Sequence, residues 1–123
     1  MSNGLRKIEL LAPAKNLECG IAAVDHGADA VYIGAAQFGA RQTAGNSTED
    51  IAELTRYAHQ FGAMVYVTVN TIVYEKEQAA LEHLLKQLVE IGVDAILVQD
   101  MAVLEIYKKL KAEYVARGYH APE

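Results

Sequence analysis

Apolar residues fall along this chain in two alternating patterns, short unbroken runs and stripes of helical period. Ile8–Ala12 reads as a first strand with Glu9 inside it. In Asn16–His26, Leu17, Ile21 and Val24 share one helical face, and Asn16 stands where it can cap the start. Ala30–Ile33 is the second strand. Ser47 and Asp50 then make a start like a capping box, with Asp in place of Glu or Gln, ahead of a stripe of Ile51, Leu54, Ala58 and Phe61. Met64–Val69, rich in β-branched residues, predicts the third strand. Lys76–Ile91 predicts a long helix with Leu81, Leu84, Leu85 and Leu88 facing inward. Ala95–Val98 is the fourth strand. Asp100 is placed to cap a last helix bearing Val103, Leu104, Tyr107 and Leu110.

The pattern repeats. "VDHGADAVYIG", "AHQFGAMVYVTV" and "VEIGVDAILVQ" each lead from a helix end through a glycine into a strand. Gly27, Gly62 and Gly92 sit where a helix exit favours a left-handed residue. They stand roughly 30 to 35 residues apart, the size of one βα unit. Strands without polar alternation imply a parallel sheet covered on both faces. The fold class is therefore α/β, with four consecutive βα units. One architecture is the first half of a TIM-type (β/α)8 barrel, which needs about 250 residues when complete. The alternative is a small doubly wound sheet. Residues 1–110 form the repeat domain, and residues 111–123 read as a polar tail or a truncation point.

Composition narrows the classes. The chain has 123 residues, 52% hydrophobic and 22% charged, which suits one globular domain. Its formal charge of −5 supplies no overall basic field for nucleic acid. The single cysteine, Cys19, permits no internal disulfide and fits a reducing compartment. The start lacks the long apolar run of a signal peptide, and no apolar stretch reaches the ~18 residues of a membrane helix. A cytoplasmic location without membrane contact is expected.

In parallel α/β folds ligands gather at the C-terminal ends of the strands. Those ends offer Ala12, Pro13, Ala14 and Asn16, then Gly34, Gln37, Arg41 and Asn46, then Asn70 and Thr71, then Gln99 and Asp100. Arg41 lies in a long connection, and its guanidinium could hold a carboxylate or phosphate in bidentate fashion, or simply pair with Glu49 or Asp50. Asn70 could orient a substrate or close an Asx turn. Asp100 could bind or only cap, and Gln99 raises the same choice. Glu9 would need a partner if it pointed into a barrel, and none if it stood in solvent at the start of its strand. Glu9, Arg41, Asn70, Gln99 and Asp100 are the candidate substrate-binding residues.

Other chemistries find little footing. "VYIGAAQFGAR" has the glycine spacing of a P-loop, but Ala40-Arg41 stands where Lys-Ser/Thr should follow. Cys19, in the first turn of a helix, could be a reactive thiol or a small packed side chain. His26 and His59 lie at helix ends, where imidazolium suits the dipole. Neither has a second ligand at metal spacing, so no metal site is expected within the chain. The serines, Ser2 and Ser47, form no triad pattern, and no HExxH occurs.

"LLAPAKNLE", "GADAVYIG", "FGAR" ahead of an Asn, "VYVTVNT" and "GVDAILVQD" occur in that order over roughly residues 8–107. Together they resemble the N-terminal part of the collagenase-like peptidases of unassigned catalytic type, the U32 type. The resemblance implies a barrel whose first strands and loops are these. It implies a peptidase that takes a peptide or other small substrate at the strand ends, with no mechanism evident in the residues. It also implies relatives that hydroxylate RNA bases or a quinone precursor through an iron–sulfur cluster held by cysteines in a later region. Against that family pattern the chain stops before a fifth strand, lacks the cysteine-bearing segment, and has Lys15 where Gly is usual. The expectation is thus an N-terminal peptidase segment, weakly active or inactive alone, with no cofactor within the chain and an iron–sulfur cluster only in the missing part. One alternative is part of an iron–sulfur-dependent hydroxylase acting in RNA modification, with nucleic acid bound only when the missing region is present. Another is a non-enzymatic binding module. A half-barrel with free edges should self-associate.

Overall fold

The computed structural model describes residues 9–35, 45–69, 78–98 and 101–118. Four strands and four helices alternate: β1 (Leu11–Ala14), α1 (Leu17–Asp25), β2 (Ala30–Gly34), α2 (Thr48–Gln60), β3 (Met64–Val69), α3 (Gln78–Ile91), β4 (Ala95–Val98) and α4 (Met101–Ala116). All pairings are parallel and the strand order is β1-β2-β3-β4. Among the described strands the order does not reverse, as in one wall of a barrel, and one open parallel sheet of βα units also suits part of a doubly wound fold.

The helix ends follow from the sequence. Asn16 Oδ1 accepts the Cys19 N–H at 2.8 Å and starts α1, and Ser47 Oγ accepts the Asp50 N–H at 3.1 Å and starts α2. Both helices close by the same motif. Gly27 (φ 94°) and Gly62 (φ 75°) turn left-handed, and the Ala28 and Ala63 N–H groups reach back to the Ala23 and Ala58 carbonyls.

Register divides the sheet into two unlike faces. Ala14, Ile33, Val67 and Ile96 form one continuous row, flanked by Ala12, Val31 and Val65. These side chains meet the helix layer, where α1, α2, α3 and α4 pack side by side in chain order. Leu54 and Ile51 of α2, Leu81, Leu85 and Leu88 of α3, and Tyr107 and Leu110 of α4 complete the core. Gly20 of α1 lets Leu54 approach so closely that a Cβ there would lie 2.7 Å from a Leu54 methyl. The opposite rows are Leu11–Ala30–Met64, Pro13–Tyr32–Tyr66–Ala95 and Gly34–Thr68–Leu97. Leu11, Met64 and Leu97 are nearly half exposed there. No described element covers this side.

Several boundaries differ from the sequence reading. The first strand is Leu11–Ala14 rather than Ile8–Ala12, because an edge strand tolerates Pro13, which has no N–H to give the ladder. Phe61 does not join the buried stripe of α2. It is the C-cap, 64% exposed, and its ring lies against Tyr57 at 5.1 Å. The last helix does not end near Leu110 but runs through Ala116, because Tyr114 is only 3% exposed and its hydroxyl donates to Glu90 of α3 at 3.1 Å.

Candidate functional site

The C-terminal ends of the strands form the ledge where a parallel α/β sheet presents ligand groups. On it stand Pro13 and Ala14 of β1, Gly34 of β2, Thr68 and Val69 of β3, and Leu97 and Val98 of β4. A Cβ on Gly34 would lie 3.3 Å from Thr68 Oγ1, so glycine keeps that strand exit narrow.

Asn46 organises this ledge and is 8% exposed. Its Nδ2 donates to the Lys15 carbonyl at 3.1 Å and to the Gly34 carbonyl at 3.0 Å, while its backbone N–H donates to Gly34 at 2.9 Å. Asn46 also forms a parallel bridge with Ala35. One side chain therefore joins the exits of β1 and β2.

Of the candidate residues, Arg41, Asn70, Gln99 and Asp100 lie outside the described residues, so the cap expected of Asp100 does too. Glu9 is exposed and precedes β1, at the edge of the sheet away from the strand exits. It does not join the ledge. Its charge acts instead on Tyr66, whose phenol is pushed above its ordinary value by burial first, then by Glu9 and Asp94.

That opposite edge carries a device that the candidate residues did not include. Asp29 and Asp94 occupy matching positions in "GADA" and "GVDA". Asp29 Oδ2 accepts the Leu10 N–H at 2.8 Å, and Asp94 Oδ2 accepts the Val65 N–H at 2.8 Å. Asp94 Oδ2 also meets His59 Nε2 at 2.8 Å, giving that helix-end histidine a carboxylate partner. His26 instead donates Nδ1–H to the Ala22 carbonyl of its own helix. Each aspartate ties a strand to its neighbour at the N-terminal edge, where barrel residues serve stability. The repeat of "G-x-D-A" was the available signal. Further out, Tyr57 donates to Asp25 across α1 and α2, and that bond raises the Tyr57 phenol most, with desolvation and the Asp25 charge adding to it.

A groove of about 580 Å³ lies between α2 and α3, lined by Thr55, Arg56, His59, Gln60, Glu90 and Ile91 among others. It opens near the C-terminal ends of both helices, away from the strand exits, and belongs to the outer surface. Among the described residues no group of three His, Cys, Asp or Glu side chains could hold a metal ion, and Cys19 is exposed and alone. An iron–sulfur cluster finds no fitting donor set there.

The chain matches peptidase family U32 over residues 15–116. It belongs to that family. Its relatives include a 23S rRNA 5-hydroxycytidine synthase of Escherichia coli (strain K12), 47% identical over 106 residues, covering 86% of this chain and 16% of that protein. The tRNA hydroxylation protein P1 of Bacillus subtilis (strain 168) is 42% identical, covering 85% of this chain and 25% of that protein. An uncharacterized protease of Methanocaldococcus jannaschii is 38% identical, covering 84% of this chain and 26% of that protein. This member of the family thus spans a sixth to a quarter of the length of these relatives. No solved structure matches.

These relatives correct the functional expectation. A peptidase was expected from the family resemblance alone. The relatives at 47% and 42% identity are instead proteins named for hydroxylating rRNA and tRNA. No helix among the described residues is long and apolar enough to cross a membrane.

Proposed function

We propose that this chain is a segment of an RNA-hydroxylating enzyme of family U32, contributing part of the wall and mouth of the site that receives a nucleobase. The observation that carries the reading is the 47% identity, over nearly the whole chain, to a protein named for making 5-hydroxycytidine in 23S rRNA. The tRNA hydroxylation protein at 42% points to the same chemistry on another RNA. The strand exits, joined by Asn46, are the place on this fold where such a base would be met.

Replacing a ring C–H by C–OH is a two-electron oxidation, which amino-acid side chains leave to a cofactor. The work assigned to this segment is therefore binding and positioning. The net charge of −5 means that most of the attraction for RNA phosphate comes from elsewhere in the enzyme. The reading carries a cytoplasmic location with it, since that is where rRNA and tRNA are.

The test is nucleoside mass spectrometry on rRNA and tRNA from cells with and without the full-length protein that carries this segment. A hydroxylated pyrimidine that disappears with the protein supports the reading. Unchanged RNA in both fractions, or peptide cleavage without RNA modification, overturns it.

A further inference from the structure

Asn46 is the one buried amide side chain on the strand-exit ledge among the described residues, and its bonds are unusual in what they join. Lys15 stands immediately before Asn16, the cap of α1, and Asn46 immediately before Ser47, the cap of α2. The Nδ2 bond to the Lys15 carbonyl crosses 31 positions of sequence to connect the residues leading into two successive helices. The second Nδ2 bond and the backbone bond both end on the Gly34 carbonyl, the last residue of β2. Local turn chemistry does not need this reach. An asparagine that only closed a turn would bond backbone within a few residues.

We infer that Asn46 is a positioning residue that locks the β1–α1 turn, the β2 exit and the start of α2 into one rigid ledge, and thereby sets turnover at the site. The inference rests on the functional reading above for its consequence, but not for the lock itself. Both Nδ2 protons are used on carbonyl oxygens, so the site requires a donor. Asparagine meets that requirement, and aspartate of the same shape does not when ionised. A carboxylate there would face two carbonyl oxygens and push the segments apart. Once protonated it could donate one bond and restore half of the lock.

The experiment uses full-length protein, wild type, Asn46→Asp and Asn46→Ala, with three readouts. Hydrogen exchange at the amides of residues 15–20 and 46–51 reports the lock. Steady-state hydroxylation of RNA gives kcat and KM, and thermal unfolding reports the fold. Expected at pH 7 is faster exchange at both segments in both variants, by roughly tenfold or more. Turnover falls by a similar factor while KM shifts less, and the protein stays folded at the assay temperature. In Asn46→Asp alone, protection relative to the intrinsic exchange rate should return as pH falls, beginning above the ordinary carboxylate range, because burial and the two carbonyl oxygens favour the protonated acid. A merely structural contact gives no such recovery. Wild-type exchange in Asn46→Asp at pH 7, or the same exchange at every pH in the two variants, overturns the lock. Normal kcat with a broken lock overturns its role in turnover. If wild-type protein hydroxylates no RNA, the functional reading fails, and the exchange readout still decides the lock.

Discussion

The two faces of the same sheet have opposite characters. Toward the helices, Val31, Ile33, Val65 and Val67 are sealed beneath Ile51, Leu54, Leu81, Leu85 and Leu88. Away from the helices, Leu11, Met64 and Leu97 stand in solvent beside half-buried Tyr32 and Tyr66. The helix-facing positions are all Ala, Val or Ile, whereas the open face mixes Leu11, Ala30, Met64, Ala95 and Leu97 with Tyr32, Tyr66 and Thr68. Helices in chain order cover one face only, because a sheet wound in one direction places every crossover on the same side. One face is closed by the helices of this segment, and no described element closes the other.

The largest expected contrast comes from truncating one leucine on each side. Leu54→Ala should destabilise by about 2–5 kcal/mol, because the cavity forms in a closed core. Leu97→Ala on the open face should change stability by no more than about 0.5 kcal/mol in the isolated chain. Denaturant unfolding of both variants checks this, and equal losses would erase the distinction between the faces. Next, the open face and the outer edges of β1 and β4, which no described strand pairs, should make the isolated chain self-associate as concentration rises. Leu97→Lys should weaken that association in light scattering. A monomer at all concentrations would mean that the exposed face needs no partner.

A smaller effect tests the helix layer. Gly20→Ala sets a methyl against the fully buried Leu54, at a cost of about 1–3 kcal/mol. Better helix propensity returns up to about 1 kcal/mol, so a net loss of about 1 kcal/mol should appear in denaturant unfolding. The smallest effect is alkaline. Tyr66 has its phenol raised in the fold, so the fold favours the neutral form. Its contribution to stability is complete below the ordinary value near 10 and is lost as pH rises through the higher folded value. Denaturant unfolding followed as pH rises should show that loss, and Tyr66→Phe should remove it.

Much of this architecture is legible in the amino-acid sequence. The ends of β3 and β4 match the apolar runs, and Gly27, Gly62 and Gly92 are left-handed as their place after each helix implies. What escapes is set by contacts distant in sequence. Pro13 looks like the residue that ends β1, yet only its position at the sheet edge decides that it belongs inside the strand. Tyr114 looks like part of a polar tail, but Glu90, far back in α3, gives its hydroxyl a partner. Asn46 stands at a strand exit in the sequence, but nothing local reveals that its amide reaches Lys15. Asp29 and Asp94 repeat visibly, while the backbone groups they satisfy lie on neighbouring strands. Arg41, Asn70, Gln99 and Asp100 fall outside the described residues, so the ledge is defined by Asn46, Gly34 and Thr68.

The most direct test of the contrast between the faces is the reactivity of a thiol placed on the open one. In a Cys19→Ala background, Leu97→Cys should react with a maleimide probe in the dilute isolated chain about as fast as an exposed thiol. If the segment is one wall of a barrel, Leu97→Cys should be protected in a full-length protein carrying it, because a closed barrel turns this face inward. Equal, rapid labelling in both would contradict the account and make the open face an outer surface of the enzyme.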